Sequence, residues 1–255
     1  MKTPEVGPGF RNGALLRFGR ISSTMDVARE QPDSDVPVTV VASEQTAGRG
    51  RFDRAWVSPP QGGLYLTVRI PWTRPIQQAP LVSIGAALAL ARVAAGSGCR
   101  DIVLKWPNDL LIGGRKAAGI LAEMATAAAK SSLLVGIGIN VSIPASTLAT
   151  VGQPAVSLSD ACGSALDPEQ ILSEFLGSWS ELDATLETVG FAPLAREFRS
   201  RTDLPGRRFL LSSGQDRRPI VVRDICDDGS LEIQDPATQA IERVFGGELL
   251  PADSE

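Results

Sequence analysis

Residues 81–95 read LVSIGAALALARVAA, a helix-length segment that is apolar on nearly every side. A surface helix keeps one polar face, so this segment must lie inside a core, closed by Gly96-Ser97-Gly98. Residues 15–21, 38–43, 63–70, 102–105 and 133–141 have the length and aliphatic content of strands. Residues 109–112 and 116–122 flank Gly113-Gly114 and predict a β-hairpin. A further helix should start at Asp167-Pro168, with Asp167 as cap, Pro168 in first position and Gln170 three residues past the cap. Its Ile171, Phe175, Trp179, Leu182 and Leu186 recur at helical spacing and are core. The expected fold is α+β, with a mixed, largely antiparallel sheet.

The pattern changes near residue 204. Short strands at 207–211, 220–226, 231–234 and 241–245 alternate with turn signals such as Asp227-Asp228-Gly229. They predict a small C-terminal β-barrel over 204–255, joined through Asp203-Leu204-Pro205-Gly206 to a larger unit over 1–203.

Several function classes fall away on composition. At 255 residues and 43% hydrophobic content the chain can build its core without staples. A net charge of −4 supplies no basic field for DNA or a membrane surface. No apolar run is expected to reach the length of a membrane span, and the start MKTPEVGPGFRNG lacks a signal-peptide core, so a cytoplasmic location is expected. Cys99, Cys162 and Cys226 are far apart and odd in number, which predicts reduced thiols. Histidine is absent, which removes His-based triads and most zinc sites.

Against this acidic background two runs stand out: EQTAGRGRFDRAW at 44–56 and KWPNDLLIGGRKAAGILAE at 105–123. Glycines let backbone amides approach an anion, and arginines bring forked donors, so the runs imply a localised anion site. The first lacks the Lys-Ser/Thr of a phosphate-binding P-loop and is no dinucleotide fingerprint. Its plain reading is a solvated basic loop; its functional reading is a loop that is mobile alone and orders over a phosphate. In the second run, Lys105, Trp106, Asn108 and Asp109 put a cation, an aromatic face and a carboxylate within five residues, and Lys116 follows the turn. Ser23 with Asp26 reads first as a capping box, although the Ser23-Thr24 hydroxyls can also face a polar ligand ring.

Taken together, SSTMD (22–26), the two runs above and GIGIN (136–140) resemble the biotin protein ligase family in order and approximate spacing. The resemblance covers roughly residues 15–200, and the C-terminal unit is similar to the family's SH3-like domain. It implies a class II aminoacyl-tRNA-synthetase-like catalytic domain, with biotin and ATP as substrates and Mg2+ on the phosphates. It further implies an acceptor lysine on a biotin carboxyl carrier protein or domain of acyl-CoA or pyruvate carboxylases. Carried over residue by residue, Ser23, Thr24, Met25 and Gln45 match biotin contacts, with Gly119 beside them. Arg49, Gly50 and Arg51 match the loop over biotin and the adenylate phosphate. Lys116 matches the cation facing the biotin carboxylate, and Lys105 adds charge to the reaction centre. Asp109 matches a polar group there and a candidate metal contact outside any dedicated protein cage. Trp56, Asn108 and Asn140 fall on the nucleotide side.

Two departures stand out. Met25 replaces a frequent Asn, and Phe52-Asp53 makes the loop less basic than the family's GRGRRGR, which predicts a looser hold on the intermediate. Only residues 1–14 precede the first expected strand, leaving no room for a helix-turn-helix, so DNA and membrane partners are not expected; a homodimer is compatible. Joining a carboxylate to a phosphate brings two anions together, which calls for cations and positioning and makes no demand on histidine. The alternatives are a lipoate or octanoyl ligase or transferase, which needs a longer linear pocket, and a non-catalytic adenylate- or RNA-binding module.

Overall fold

The computed structural model describes residues 5–127, 130–213 and 216–252. In chain order these form β1 (Glu5–Pro8), β2 (Ala14–Ile21), α1 (Thr24–Glu30), β3 (Val38–Gln45), β4 (Gly63–Trp72) and α2 (Ala79–Gly96). Next come β5 (Ile102–Lys105), β6 (Asp109–Ile112), β7 (Arg115–Ala127) and β8 (Lys130–Asn140). The helices α3 (Ala145–Leu148), α4 (Leu158–Cys162), α5 (Pro168–Thr188) and α6 (Ala192–Ser200) follow. The last elements are β9 (Arg208–Ser213), β10 (Asp216–Ile225), β11 (Leu231–Gln234), β12 (Ile241–Val244) and β13 (Glu248–Pro251).

The first eight strands make one sheet in the order β1-β2-β3-β4-β8-β7-β6-β5. Only the β2/β3 pair is parallel, with α1 as its crossover; every other pairing is antiparallel. The remaining five form a second antiparallel sheet, β12-β11-β10-β9-β13. The α+β expectation therefore holds. The Gly113-Gly114 turn has both residues at positive φ (55° and 72°), which the tight hairpin requires and glycine permits. Asp167 caps α5 by accepting from the Glu169 N–H, and Ile171, Phe175, Trp179, Leu182 and Leu186 are all buried.

Helix α2 is buried except at Arg92 and its last turn, between α5 and the strands β5–β7. With its 3-10 lead-in it reaches 21 residues (76–96) at mean hydropathy 1.6, long and apolar enough to cross a membrane. That corrects the reading that no run is so long; 78% of its most apolar 18-residue stretch is buried inside the fold, as suits a core helix. One apolar cluster runs from α2 and α5 through Trp106 to Phe209, Ile220, Leu231 and Leu249 of the second sheet. The two sheets thus share a core.

The cysteine expectation fails. Cys99, just past α2, and Cys162, ending α4, form a disulfide with Cα atoms 4.3 Å apart, and Cys226 is a buried free thiol. Spacing along the chain misled because the Ser159 N–H donates to Val141 O (2.8 Å), folding α4 back beside the end of α2.

Candidate active site

A cavity of about 130 Å3 opens on the face of the first sheet where α1, the 46–58 loop, β6 and β7 converge. Every residue expected at the site lines it except Asn140, which lines an adjoining recess of about 40 Å3 together with Trp56 and Lys116.

One end is built from neutral hydrogen-bonding groups. Ser23 caps α1 by accepting from the Met25 N–H (3.2 Å), which leaves its hydroxyl hydrogen for another acceptor. Gln45 Oε1 accepts from the Thr24 N–H (2.8 Å) and the Thr24 hydroxyl (3.0 Å). Thr67 Oγ1 in turn donates to Thr24 Oγ1 (2.8 Å), and Gln45 Nε2 donates to Ser58 Oγ (3.0 Å). The network fixes each side chain, with Ser23, Thr24, Ser58 and Thr67 buried and Gln45 partly exposed, a preorganised set of donors and acceptors for a small polar ring. Asp26 does not complete a capping box. Its carboxylate takes both Arg49 Nη atoms (2.6 and 3.1 Å), and this hydrogen bonding, against a smaller opposing effect of burial, holds its pKa below the usual carboxylate range.

The floor is glycine. A Cβ on Gly138 would overlap the Trp56 indole, and one on Gly119 would come within 3.0 Å of Trp56 and 3.1 Å of Lys116 Cε. A Cβ on Gly136 would meet Met25 Sδ at 2.9 Å. The three glycines let the indole and the thioether settle on the sheet itself. Met25 belongs to an apolar cluster with Ala28, Val40 and Leu134.

The other end is cationic. Leu110 pairs with Ala118 and Leu111 with Lys116, so Ala117 is an extra residue, a β-bulge in β7. Residues three apart on a regular strand face opposite ways; the bulge turns Lys116 to the side of Gly119 and Asp109. Lys116 Nζ lies 2.9 Å from Asp109 Oδ1 and 5.5 Å from the Trp56 ring centroid. Its backbone is held by the 154–156 segment, with Lys116 N–H donating to Pro154 O and Val156 N–H to Lys116 O. Asn140 Nδ2 also donates to Lys116 O (3.3 Å). Arg51 donates to Asn108 Oδ1 (3.0 Å) and to Gly247 O (2.7 Å), just before β13 of the second sheet. Burial pulls the Arg51 pKa below its ordinary value, opposed by Asp109 and Glu248. Lys105 pairs with Asp109 across β5 and β6 and lines the same wall.

The loop between the two ends is folded on itself. Gly50 N–H donates to Arg54 O (2.7 Å), Trp56 N–H to Gly48 O (2.9 Å), and residues 51–53 make a single 3-10 turn. Phe52 within it takes φ 57°, which costs a residue with a Cβ about 1–2 kcal/mol. Arg54 makes a bidentate pair with Glu248 (2.5 and 2.9 Å). Glu248 and Gln153, which line the cavity, and Gly247, which accepts from Arg51, were not among the expected site residues. Among the described residues no group of three or more Cys, Asp or Glu side chains could cage a metal. The carboxylates on the cavity wall, Asp109 and Glu248, each face a cation.

Both the sequence and the fold have known counterparts. The Biotin/lipoate A/B protein ligase family profile matches residues 18–140. The biotin–[acetyl-CoA-carboxylase] ligase of Paracoccus denitrificans is 33% identical over 236 residues, covering 89% of this chain and 98% of that protein. The Mycobacterium tuberculosis enzyme of the same name is 35% identical over 236 residues, 89% of this chain and 84% of its own. The biotin protein ligase of Aquifex aeolicus, solved in complex with biotin and ATP, superposes with a TM-score of 0.76 at 26% identity, covering 92% of this chain and 97% of that one. With the motifs in register, the fold shared end to end and identity sustained over most of both chains, this chain belongs to the biotin protein ligase family.

Proposed function

We propose that the chain joins biotin and ATP into biotinyl-5'-AMP, releasing pyrophosphate, and then passes the biotinyl group to a lysine of a carboxylase carrier protein or domain. The observation that carries this is the single cavity linking the Ser23–Thr24–Gln45 network to Arg51 and Lys116, with Trp56 between it and the second recess. A cyclic urea has one carbonyl acceptor and two N–H donors, which suits the Ser23 hydroxyl and the Thr24–Gln45 pair. The valeryl chain crosses the glycine floor beside Trp56 and Gly119, under Arg49 and Gly50. Its carboxylate then meets Lys116.

In the first step a carboxylate oxygen attacks the α-phosphorus and the bond to pyrophosphate breaks. Both partners are anions, so Lys116, Arg51 and Lys105 contribute by screening charge and fixing an in-line approach. Asn108 holds Arg51, and Asn140 with Trp56 shapes the nucleotide recess. Mg2+ would arrive on the triphosphate, with Asp109 as the wall carboxylate available to it; the metal supplies charge neutralisation at the phosphates. In the second step the acceptor amine attacks the carbonyl carbon, AMP leaves, and the amine proton is lost. Asp109 is the nearby carboxylate for that proton.

The proposal extends to a catalytic unit over 1–203 and an SH3-like unit over 204–255, acting in the cytoplasm where ATP is supplied, as monomer or homodimer. It assigns no DNA or membrane partner, in keeping with the net charge of −4. The test is to incubate the protein with biotin, ATP, Mg2+ and a purified carrier domain and weigh the carrier. One biotinyl group on one lysine is expected. A carrier modified with lipoate and untouched with biotin would overturn the proposal.

A further inference from the structure

The loop carries a residue that a plain phosphate-binding loop does not need. Phe52 is large and apolar, yet about half exposed (49%), and it sits at positive φ, where a glycine would fold without strain. An outlier of this kind persists only where its surroundings determine it. Here the surroundings are two arginines. The guanidinium carbon of Arg51 lies 4.9 Å from the Phe52 ring centroid, and that of Arg54 lies 5.7 Å from it, both within cation–π range. Each of these guanidiniums also reaches the start of β13, Arg51 at Gly247 O just before the strand and Arg54 at Glu248, its first residue. The ring is thus a common plate beneath the two arms that tie the loop to the C-terminal unit.

We propose that Phe52 is a positioning residue that folds the 49–54 loop, with Arg51 aimed at the phosphate site, before any ligand binds. Arginine arms on a glycine-containing loop have many conformers to lose. The ring removes part of that cost in advance, and the Arg51 bonds to Asn108 and Gly247 then set its direction. This reverses the looser hold that the less basic Phe52-Asp53 sequence suggests, because the aromatic ring substitutes stacking for charge. A residue acting by preorganisation leaves a kinetic mark. When the competent loop is only a fraction of the population, the apparent affinity falls by that fraction while saturating ligand restores the bound state.

The kinetic arm of the test rests on the ligase reading; the proteolysis arm does not. Pyrophosphate release is measured with biotin and varied ATP for wild type, Phe52→Ala, Phe52→Leu and Phe52→Tyr, with thermal unfolding to confirm that each folds. Phe52→Ala should raise the KM for ATP about five- to thirty-fold, with kcat within about twofold. Phe52→Tyr should restore wild-type values and Phe52→Leu should not. Without ligand, trypsin should cut after Arg49, Arg51 or Arg54 faster in Phe52→Ala and Phe52→Leu than in wild type or Phe52→Tyr. Wild-type KM for ATP and wild-type cleavage in Phe52→Ala would overturn the proposal, as would full rescue by leucine. A rise in KM for the carrier domain alone would make Phe52 an acceptor contact and would also overturn it. If wild type releases no pyrophosphate, the ligase reading falls, and the cleavage pattern still decides the role of Phe52.

Discussion

Lys116→Ala isolates the cation at the junction of the two half-sites. In the folded protein its Nζ is 2.9 Å from Asp109 Oδ1, with side-chain exposures of 17% and 18% for the pair. Its backbone bonds to Pro154, Val156 and Asn140 do not involve the side chain, so the local fold should survive. On substitution the ligand loses a charge-assisted hydrogen bond worth about 1.5–3 kcal/mol, or roughly ten- to a hundredfold in rate or affinity. The orphaned Asp109 adds a smaller cost, because Arg51 still faces it electrostatically. Asp109→Asn in the Lys116→Ala background separates the two effects: it should relieve the orphaned charge without restoring adenylate formation. Lys116→Arg should rescue only in part, since a planar fork does not fit where a compact ammonium stood. The assay is single-turnover formation of biotinyl-5'-AMP with biotin affinity measured alongside. Wild-type rate and affinity in Lys116→Ala would refute the assignment of this residue and the placement of the carboxylate beside it.

Gly138→Ala should keep the sheet, because Gly138 is paired on both sides with Tyr65 and Gly119, and should displace Trp56 instead. Biotin affinity should fall about five- to a hundred-and-fifty-fold, as overpacking by about 1–3 kcal/mol implies, and the Trp56 contribution to fluorescence should change; unchanged binding would show that the indole moves freely. Met25→Asn should destabilise the fold by about 1–3 kcal/mol in denaturant titration, because an amide would enter the Ala28–Val40–Leu134 cluster; a gain in biotin affinity at unchanged stability would contradict that. The Asp26–Arg49 pair sets a pH dependence. A carboxyl whose folded pKa is depressed contributes stability above its unfolded pKa of roughly 3.9 and loses it as pH falls through the folded value. The stability difference between wild type and Asp26→Asn should be flat above about pH 5 and shrink below about pH 4; a difference that grows on acidification would be inconsistent with the pair.

The elements easiest to read were those whose burial is written into their own residues. The buried α2, the α5 stripe ending at Leu186 and the Gly113-Gly114 hairpin all follow from local periodicity and turn chemistry. The edge strands β1 and β13 did not, since Glu5–Pro8 and Glu248–Pro251 carry short, mixed sequences that become strands only against β2 and β9. The cavity-lining residues carried by motifs were legible, but their reasons were not. Nothing in RKAAG announces that Ala117 is a bulge that turns Lys116, and nothing in GIGIN announces that Gly136 and Gly138 make room for Met25 and Trp56. Glu248 lies 194 residues from its partner Arg54, and the Cys99–Cys162 bond spans 63. Contacts at that separation depend on how whole elements stack, which local pattern does not encode.

The most direct measurement is ATP–pyrophosphate exchange by the purified protein in the presence of Mg2+, run with biotin and, in parallel, with lipoate. A cavity of about 130 Å3 with a urea-sized hydrogen-bonding end and a cationic end predicts exchange that depends on biotin, is abolished or cut about ten- to a hundredfold by Lys116→Ala, and stays at background with lipoate. Exchange driven by lipoate and not by biotin, or none with either in a correctly folded sample, would contradict it.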